Sequence, residues 1–110
     1  MGFKVKGYDN NKGVRDAIVK RKPHFFEAGL ERLLVDHLDK NFRLVNDFSG
    51  ADNCDIYFIA VGTPLDENHK PDLGHLESAA AFVGARLKSG DMVILRSTVP
   101  LGTTRTVASP

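Results

Sequence analysis

The run DIYFIAV, from Asp55 to Val61, constrains the fold of this 110-residue sequence more than any other feature. A strand of an antiparallel sheet usually alternates apolar with polar residues, whereas a strand of a parallel sheet is covered on both faces and has almost no polar positions. Gly62, Thr63 and Pro64 follow directly and end the run. We therefore expect a buried strand of a parallel sheet here, with a loop at its carboxyl end.

The rest of the sequence alternates short strand patterns with helical patterns. Strand patterns cover Phe3 to Tyr8, Phe42 to Val45 and Met92 to Leu95, and helical spacing covers Lys12 to Lys22, Glu27 to Leu38 and Leu76 to Leu87. Pro23 ends the first helix, Gly90 closes the last one, and Ser97 to Thr104 is expected to be a loop. This alternation predicts an α/β fold with a doubly wound parallel sheet of about four strands, in a single domain over residues 1–110.

Charge and composition argue against nucleic acid and membranes as partners. The formal net charge is +1, and no apolar run approaches the roughly 20 residues of a membrane span. Basic residues are concentrated between Lys4 and Lys22, opposed there only by Asp9 and Asp16. This cluster is either a solvated helix face with an edge strand, or a means of attracting an anionic ligand such as a dinucleotide.

A single cysteine, Cys54, rules out an internal disulfide and fits a reducing compartment. Because no secretory signal pattern follows Met1, we expect a cytoplasmic protein. Cys54 opens the buried strand, where a cysteine behaves as a small hydrophobe. The four histidines, His24, His37, His69 and His75, lack metal-ligand spacing, so we predict no metal site.

Three predicted strand ends carry groups that suit a nucleotide. They are Gly7 to Asp9, Ala60 to Pro64 and Arg96 to Thr104, and ligands of open parallel sheets bind beyond such ends. A carboxylate can accept ribose hydroxyls, small residues admit the backbone, and threonine hydroxyls can donate. Taken alone, a Gly-Thr-Pro after a strand is usually only a turn. The candidate cofactor-binding residues are Asp9, Asn10, Arg15, Val61, Gly62, Thr63, Pro64, Ser97 and Thr98.

In this order and spacing, the motifs resemble the NAD-binding domain of the UDP-glucose/GDP-mannose dehydrogenases. The stretches that carry the resemblance are GYD (Gly7 to Asp9), FEAGLERLL (Phe26 to Leu34), DIYFIAVGTPLDENHKPDL (Asp55 to Leu73) and VILRSTVPLGTT (Val93 to Thr104). The family's usual forms are close to E-P-G-L, V-P-T-P-L-D and S-T-V-P-P-G-T-T. The resemblance covers nearly the whole chain, but only part of a typical family member.

The resemblance implies a Rossmann-like fold, NAD as cofactor, and a dinucleotide or nucleotide-sugar ligand. The family oxidises the C6 alcohol of a nucleotide sugar to a carboxylate, reduces two NAD molecules and uses a cysteine nucleophile. By position, Asp9 would accept the adenosine ribose and Thr63 would lie along the cofactor. Thr98 would lie nearest the nicotinamide. For the acids Asp66, Glu67 and Asp72, a solvated loop is the main expectation and a sugar contact the alternative.

Several family features have no counterpart in this sequence. No strand with a G-x-G-x-x-G turn precedes Phe3, and the family's catalytic cysteine, lysine and glutamate are missing. Val14 stands where a basic residue is common, with Arg15 beside it. Ala28 and Leu101 replace two prolines. We therefore expect a truncated domain that lacks the first β-α unit, carries no catalytic residue and binds NAD weakly or not at all.

Without that unit, the sheet could be completed in two ways. The remaining strands could close into a flavodoxin-like order 2-1-3-4, which we favour, or a second chain could fill the gap. The alternative function is a non-enzymatic relic that associates with itself as a homodimer or with a full-length relative. Whether Met1 is a natural start, and which nucleotide sugar is involved, are left open.

Overall fold

A computed structural model describes residues 2–23, 25–47, 50 and 53–107. The chain divides into two compact units, Met1–Asp52 and Asn53–Pro110. The first unit contains β1 (Val5–Gly7), α1 (Lys12–Val19), α2 (Leu30–His37) and β2 (Phe42–Leu44). The second contains β3 (Ile56–Ile59), α3 (Gly74–Gly84), β4 (Met92–Leu95) and α4 (Thr103–Val107). The predicted α/β class is confirmed, and both described strand pairs are parallel.

The first unit is built on one parallel strand pair. β1 lies beside β2 with Val5 opposite Phe42 and Gly7 opposite Leu44. The backbone of Val5 donates to the Asn41 carbonyl at 2.7 Å. Among the described residues of the first unit, the buried apolar ones are Leu34, Leu38 and Val45. α1 begins where the Asn11 side chain accepts the backbone N–H groups of Gly13 and Val14, as an N-terminal cap should.

The second unit has a small core between β3 and α3. Tyr57 and Ile59 of β3 pack with Leu76 and Val83 of α3, and Leu76 has no exposed surface. β3 and β4 are parallel, and the pair extends to a bond from the Arg96 N–H to the Ile59 carbonyl. This core fixes the carboxyl ends of both strands at one edge of the sheet.

The expected burial of both faces of the DIYFIAV strand is wrong for the described structure. Burial alternates along β3, with Tyr57 and Ile59 buried while Ile56 is 45% and Phe58 67% exposed. The run is apolar on both faces of the strand, but the described residues cover only one of these faces. An alternating burial pattern is typical of a sheet packed on one side only.

The favoured strand order 2-1-3-4 is also not found. It requires β1 to pair with β3, whereas the described strands form two sheets, β1–β2 and β3–β4. The Val5 N–H donates to the Asn41 carbonyl, and the Gly7 carbonyl accepts the Val45 N–H. Both bonds lie on the side of β1 that faces β2. Lys6 lies between Val5 and Gly7 and Lys4 directly precedes the strand, and lysines on an edge strand oppose pairing with a further strand. The alternative, in which a second chain takes part, stays a prediction.

Several predicted element boundaries are corrected. α3 spans Gly74–Gly84 with Ala85 as its C-cap, so the prediction that Gly90 closes this helix is wrong. α1 stops at Val19 rather than Lys22, because Arg21 adopts a left-handed backbone with φ +58°. α2 starts at Leu30 rather than Glu27, because Gly29 has φ +87°, outside the helical region. A short helix, α4, occupies Thr103–Val107 where a loop was expected up to Thr104.

No helix within the described ranges is both long and apolar enough to cross a membrane.

Candidate functional site

In the first unit, the candidate site is the loop that joins β1 to α1. Asp9 is half-buried, and its Oδ1 accepts the Asn11 N–H at 2.8 Å, so the carboxylate also shapes the turn. Asn10 between them is exposed. The carboxylate therefore stands at the carboxyl end of a parallel strand, where a ribose acceptor is expected.

Arg15 supports this loop from the first turns of α1. Its Nη1 donates to the Asp9 carbonyl at 2.5 Å, and its guanidinium lies 5.7 Å from the centroid of the Tyr8 ring. That distance is within the range of a cation–π contact. The basic group thus binds the chain's own strand end, a role that the spacing from Asp9 did not indicate.

The remaining charge on α1 is partly paired within the helix. Lys12 Nζ lies 2.6 Å from an Asp16 carboxylate oxygen, an i,i+4 pair on the exposed surface. The hydrogen bond from Lys12 lowers the pKa of Asp16 below its ordinary value, with the positive charges of Lys12, Lys20 and Arg15 acting in the same direction. Two residues of the predicted basic cluster, Lys12 and Arg15, therefore bond to acceptors of the same unit.

In the second unit, the loops after β3 and β4 are joined by two side-chain hydrogen bonds. Thr63 Oγ1 donates to the Thr98 carbonyl at 2.7 Å, and Ser97 Oγ donates to the Val61 carbonyl at 2.7 Å. We call these two bonds the loop clamp. The clamp brings four of the candidate residues, from stretches about 35 residues apart, into one cluster.

Gly62 and Pro64 complete this edge of the second unit. Gly62 is exposed, and a Cβ built there would meet no atom within 4 Å. Space next to a backbone is what a closely approaching ligand needs. Pro64 accepts the Asp72 N–H through its carbonyl at 2.7 Å, which fixes the start of the following loop.

The acidic loop beyond Pro64 is held by one of its own carboxylates. Asp66 Oδ1 accepts the N–H groups of Asn68 and Lys70, both at 2.8 Å, while Leu65 and Pro71 form an isolated bridge. Asp66 is thus a turn-forming residue, in agreement with the solvated-loop interpretation. Sequence reasoning did not identify this turn, although Asp is a common turn former because its side chain can accept the backbone N–H two residues on.

Cys54 is a free, half-buried thiol at the entry to β3. Within the described ranges no three His, Cys, Asp or Glu side chains cluster so that they could hold a metal ion. His24 lies outside those ranges.

The nine candidate cofactor-binding residues form two groups, Asp9, Asn10 and Arg15 in the first unit and the other six in the second.

Comparison with known proteins identifies the family. The model of the UDP-glucose/GDP-mannose dehydrogenase family, NAD binding domain, matches residues 1–110. The UDP-N-acetyl-D-mannosamine dehydrogenase of Campylobacter jejuni is 39% identical over 107 residues, which cover 96% of this chain and 26% of that protein.

Solved structures agree with the sequence match. A UDP-D-ManNAc dehydrogenase of Pyrococcus horikoshii superposes with a TM-score of 0.88 at 30% identity, covering 97% of this chain and 26% of that chain. A ternary complex of GDP-mannose dehydrogenase from Pseudomonas aeruginosa gives 0.85 at 32% identity, with coverage of 97% and 26%.

These relatives are much longer than the present sequence, which spans about a quarter of the length of the two dehydrogenase structures. The similarity nevertheless extends over nearly the whole chain, and it confirms both the predicted α/β class and the Rossmann-like fold that the resemblance implied. The chain belongs to the UDP-glucose/GDP-mannose dehydrogenase family and corresponds to its NAD-binding domain.

Proposed function

We propose that residues 1–110 act as a single NAD-binding domain of a nucleotide-sugar 6-dehydrogenase, working in the cytoplasm. The observation that carries this proposal is the position of the candidate residues. Eight of the nine follow directly after the carboxyl ends of β1, β3 and β4, and the ninth, Arg15, bonds to the Asp9 carbonyl. Carboxyl ends of parallel strands are where this class of sheet binds nucleotides.

The roles follow from the chemistry of each group. The Asp9 carboxylate accepts the hydroxyls of the adenosine ribose, with Asn10 alongside. The small, exposed Gly62 admits the cofactor close to the backbone, and Thr98 lies nearest the nicotinamide. In a complete family member, the oxidation of the sugar C6 alcohol to a carboxylate would take place with the nicotinamide held at this end of the domain.

We expect a polypeptide of these 110 residues to bind NAD weakly. No G-x-G-x-x-G occurs in it, so the usual backbone donors for the pyrophosphate are missing. Each hydrogen bond to a charged group contributes about 1.5–3 kcal/mol, so the loss of a few weakens binding by several powers of ten. Isothermal titration with NAD and NADH should give dissociation constants in the micromolar range or weaker.

Two results would contradict these expectations in different ways, the first only the expected weakness of binding and the second the NAD-binding function itself. A sub-micromolar constant would mean that another phosphate site exists, for which the loop from Asn10 to Gly13 is the nearest candidate. An absence of heat, together with a tight oligomer in light scattering, would favour the alternative function, that of a non-enzymatic relic that associates with itself or with a full-length relative.

The same polypeptide should show no turnover. With NAD and UDP-glucose, GDP-mannose or a UDP-N-acetyl-hexosamine, no NADH absorbance should appear, because the 110 residues carry no counterpart of the family's catalytic cysteine, lysine and glutamate. Turnover that persists through purification and disappears in Asp9→Ala would show that this interpretation is wrong.

Self-association is the second candidate function, and one observation favours it. Ile56 and Phe58 place large apolar side chains on the uncovered face of β3, and Met92 of the neighbouring β4 is 55% exposed. Exposed apolar patches of this kind mark interaction surfaces. Association with a second copy or with a full-length relative would cover them.

A further inference from the structure

We propose that Thr63 and Ser97 are positioning residues, which hold the two strand-end loops together through the loop clamp and do not bind the cofactor with their hydroxyl protons. The inference rests on the proposed function, since it concerns the same site. It divides the candidate residues of the second unit into those that position the loops and those that face the ligand.

The first reason is the arrangement of the two bonds. Thr63 donates from the β3 loop to the β4 loop, and Ser97 donates from the β4 loop to the β3 loop. The bonds run in opposite directions between the same two segments. They continue the strand pairing beyond its last backbone bond, from the Arg96 N–H to the Ile59 carbonyl at 2.8 Å.

The second reason is the number of donors. A serine or threonine hydroxyl has one proton to donate. At both residues that proton points to a backbone carbonyl at 2.7 Å, and both side chains are half-buried. A phosphate or ribose oxygen could take either proton only by opening the clamp and leaving a carbonyl without its partner, which costs free energy.

The clamp therefore fixes the distance between Gly62 and Thr98, which are both exposed at the same edge. Those two residues, through the Gly62 backbone and the Thr98 side chain, remain available to face a dinucleotide. The specific consequence is that loss of either clamp hydroxyl should loosen the opposite loop even when no ligand is present.

The test uses the whole 110-residue chain labelled with ¹⁵N. Amide order parameters are measured for Gly62, Thr63, Ser97 and Thr98 in the wild type, in Thr63→Val and in Ser97→Ala. We expect values near 0.85 in the wild type and a fall toward about 0.6 on both loops in each variant. Thr63→Ser keeps the hydroxyl and should restore the wild-type values.

Ser78→Ala is the matched control. Ser78 Oγ donates to the Gly74 carbonyl at 2.8 Å within α3, so this variant also removes one bond from a serine to the backbone, but away from the loops. It should leave the loop order parameters unchanged. Unchanged order parameters in both clamp variants would overturn the proposal.

A titration with NAD separates positioning from direct contact. Each clamp variant should weaken NAD binding about three- to tenfold, in step with its loss of loop order, and Ser78→Ala should not. Loss of affinity in Thr63→Val with fully ordered loops would identify Thr63 as a direct ligand and overturn the proposal. If the wild type does not bind NAD, the proposed function fails, while the order parameters still decide on the clamp.

Discussion

Leu76→Ala should lower the free energy of unfolding of the second unit by about 2–5 kcal/mol. Leu76 is the fully buried side chain of the core formed with Tyr57, Ile59 and Val83. Truncation to alanine removes the apolar contacts and leaves a cavity that the small core cannot fill. Since a domain is stable by only about 5–15 kcal/mol, the loss is a large fraction of the total.

The measurement is urea unfolding followed by circular dichroism and by tyrosine fluorescence. The chain has two tyrosines, Tyr8 in the first unit and Tyr57 in the second, and no tryptophan. A variant with Tyr8→Phe therefore reports on Tyr57 alone. Its unfolding midpoint should fall sharply when Leu76→Ala is added.

Two further variants make this result specific. Leu101→Ala removes the same atoms from a fully exposed leucine of the same unit and should change stability by less than about 0.5 kcal/mol. Leu76→Met keeps the volume and should cost less than about 1.5 kcal/mol. Equal midpoints for Leu76→Ala and Leu101→Ala would mean that the second unit does not depend on this core.

Local patterns predicted the elements of the fold well. β4 has the predicted bounds, Met92 to Leu95, although Met92 is 55% exposed and the strand is not the buried one expected, and α3 covers most of the predicted helix from Leu76 to Leu87. Errors occur at backbone conformations that composition does not reveal. Arg21, a non-glycine residue at φ +58°, ends α1 before the proline that was expected to end it.

Long-range features could not be read from the sequence in the same way. An unbroken apolar run shows that a strand can be covered on two faces, but not which segment covers it, and Phe58 remains exposed. Pairing between strands likewise depends on their edges, and β1 contains Lys6, with Lys4 directly before it. The predicted order 2-1-3-4 depended on an edge contact that no local pattern specifies.

The candidate site shows the same difference between local features, which the sequence predicts, and long-range contacts, which it does not. The motifs located the three strand ends, because Asp, Gly and Thr after parallel strands have a recognisable chemistry. The motifs did not show which of the hydroxyl and guanidinium donors are hydrogen-bonded within the chain. Thr63 and Thr98 are 35 residues apart in the sequence, and only the fold shows that one bonds to the other. Likewise, the bond from Arg15 to the Asp9 carbonyl could not be read from the spacing of the two residues.

Asp9→Asn should reduce NAD affinity by about one to two powers of ten while leaving the fold intact. The carboxylate can accept ribose hydroxyls through charge-assisted bonds of about 1.5–3 kcal/mol each, and an amide has one acceptor oxygen and no charge. Asparagine can still accept the Asn11 N–H that Asp9 Oδ1 accepts at 2.8 Å, so the turn before α1 is kept. Isothermal titration measures the first effect and the thermal midpoint measures the second.

Asp9→Ala completes the test, since it removes both roles at once. It should lose at least as much affinity as Asp9→Asn and should also lose about 1 kcal/mol of stability, because the Asn11 N–H no longer has its partner. Asp16→Asn is the matched control on α1. Its carboxylate pairs with Lys12 on the exposed surface, so its loss should leave NAD binding unchanged. If Asp9→Asn binds NAD as well as the wild type, while Asp9→Ala loses both stability and affinity, Asp9 is a turn residue, and the ribose must be held elsewhere.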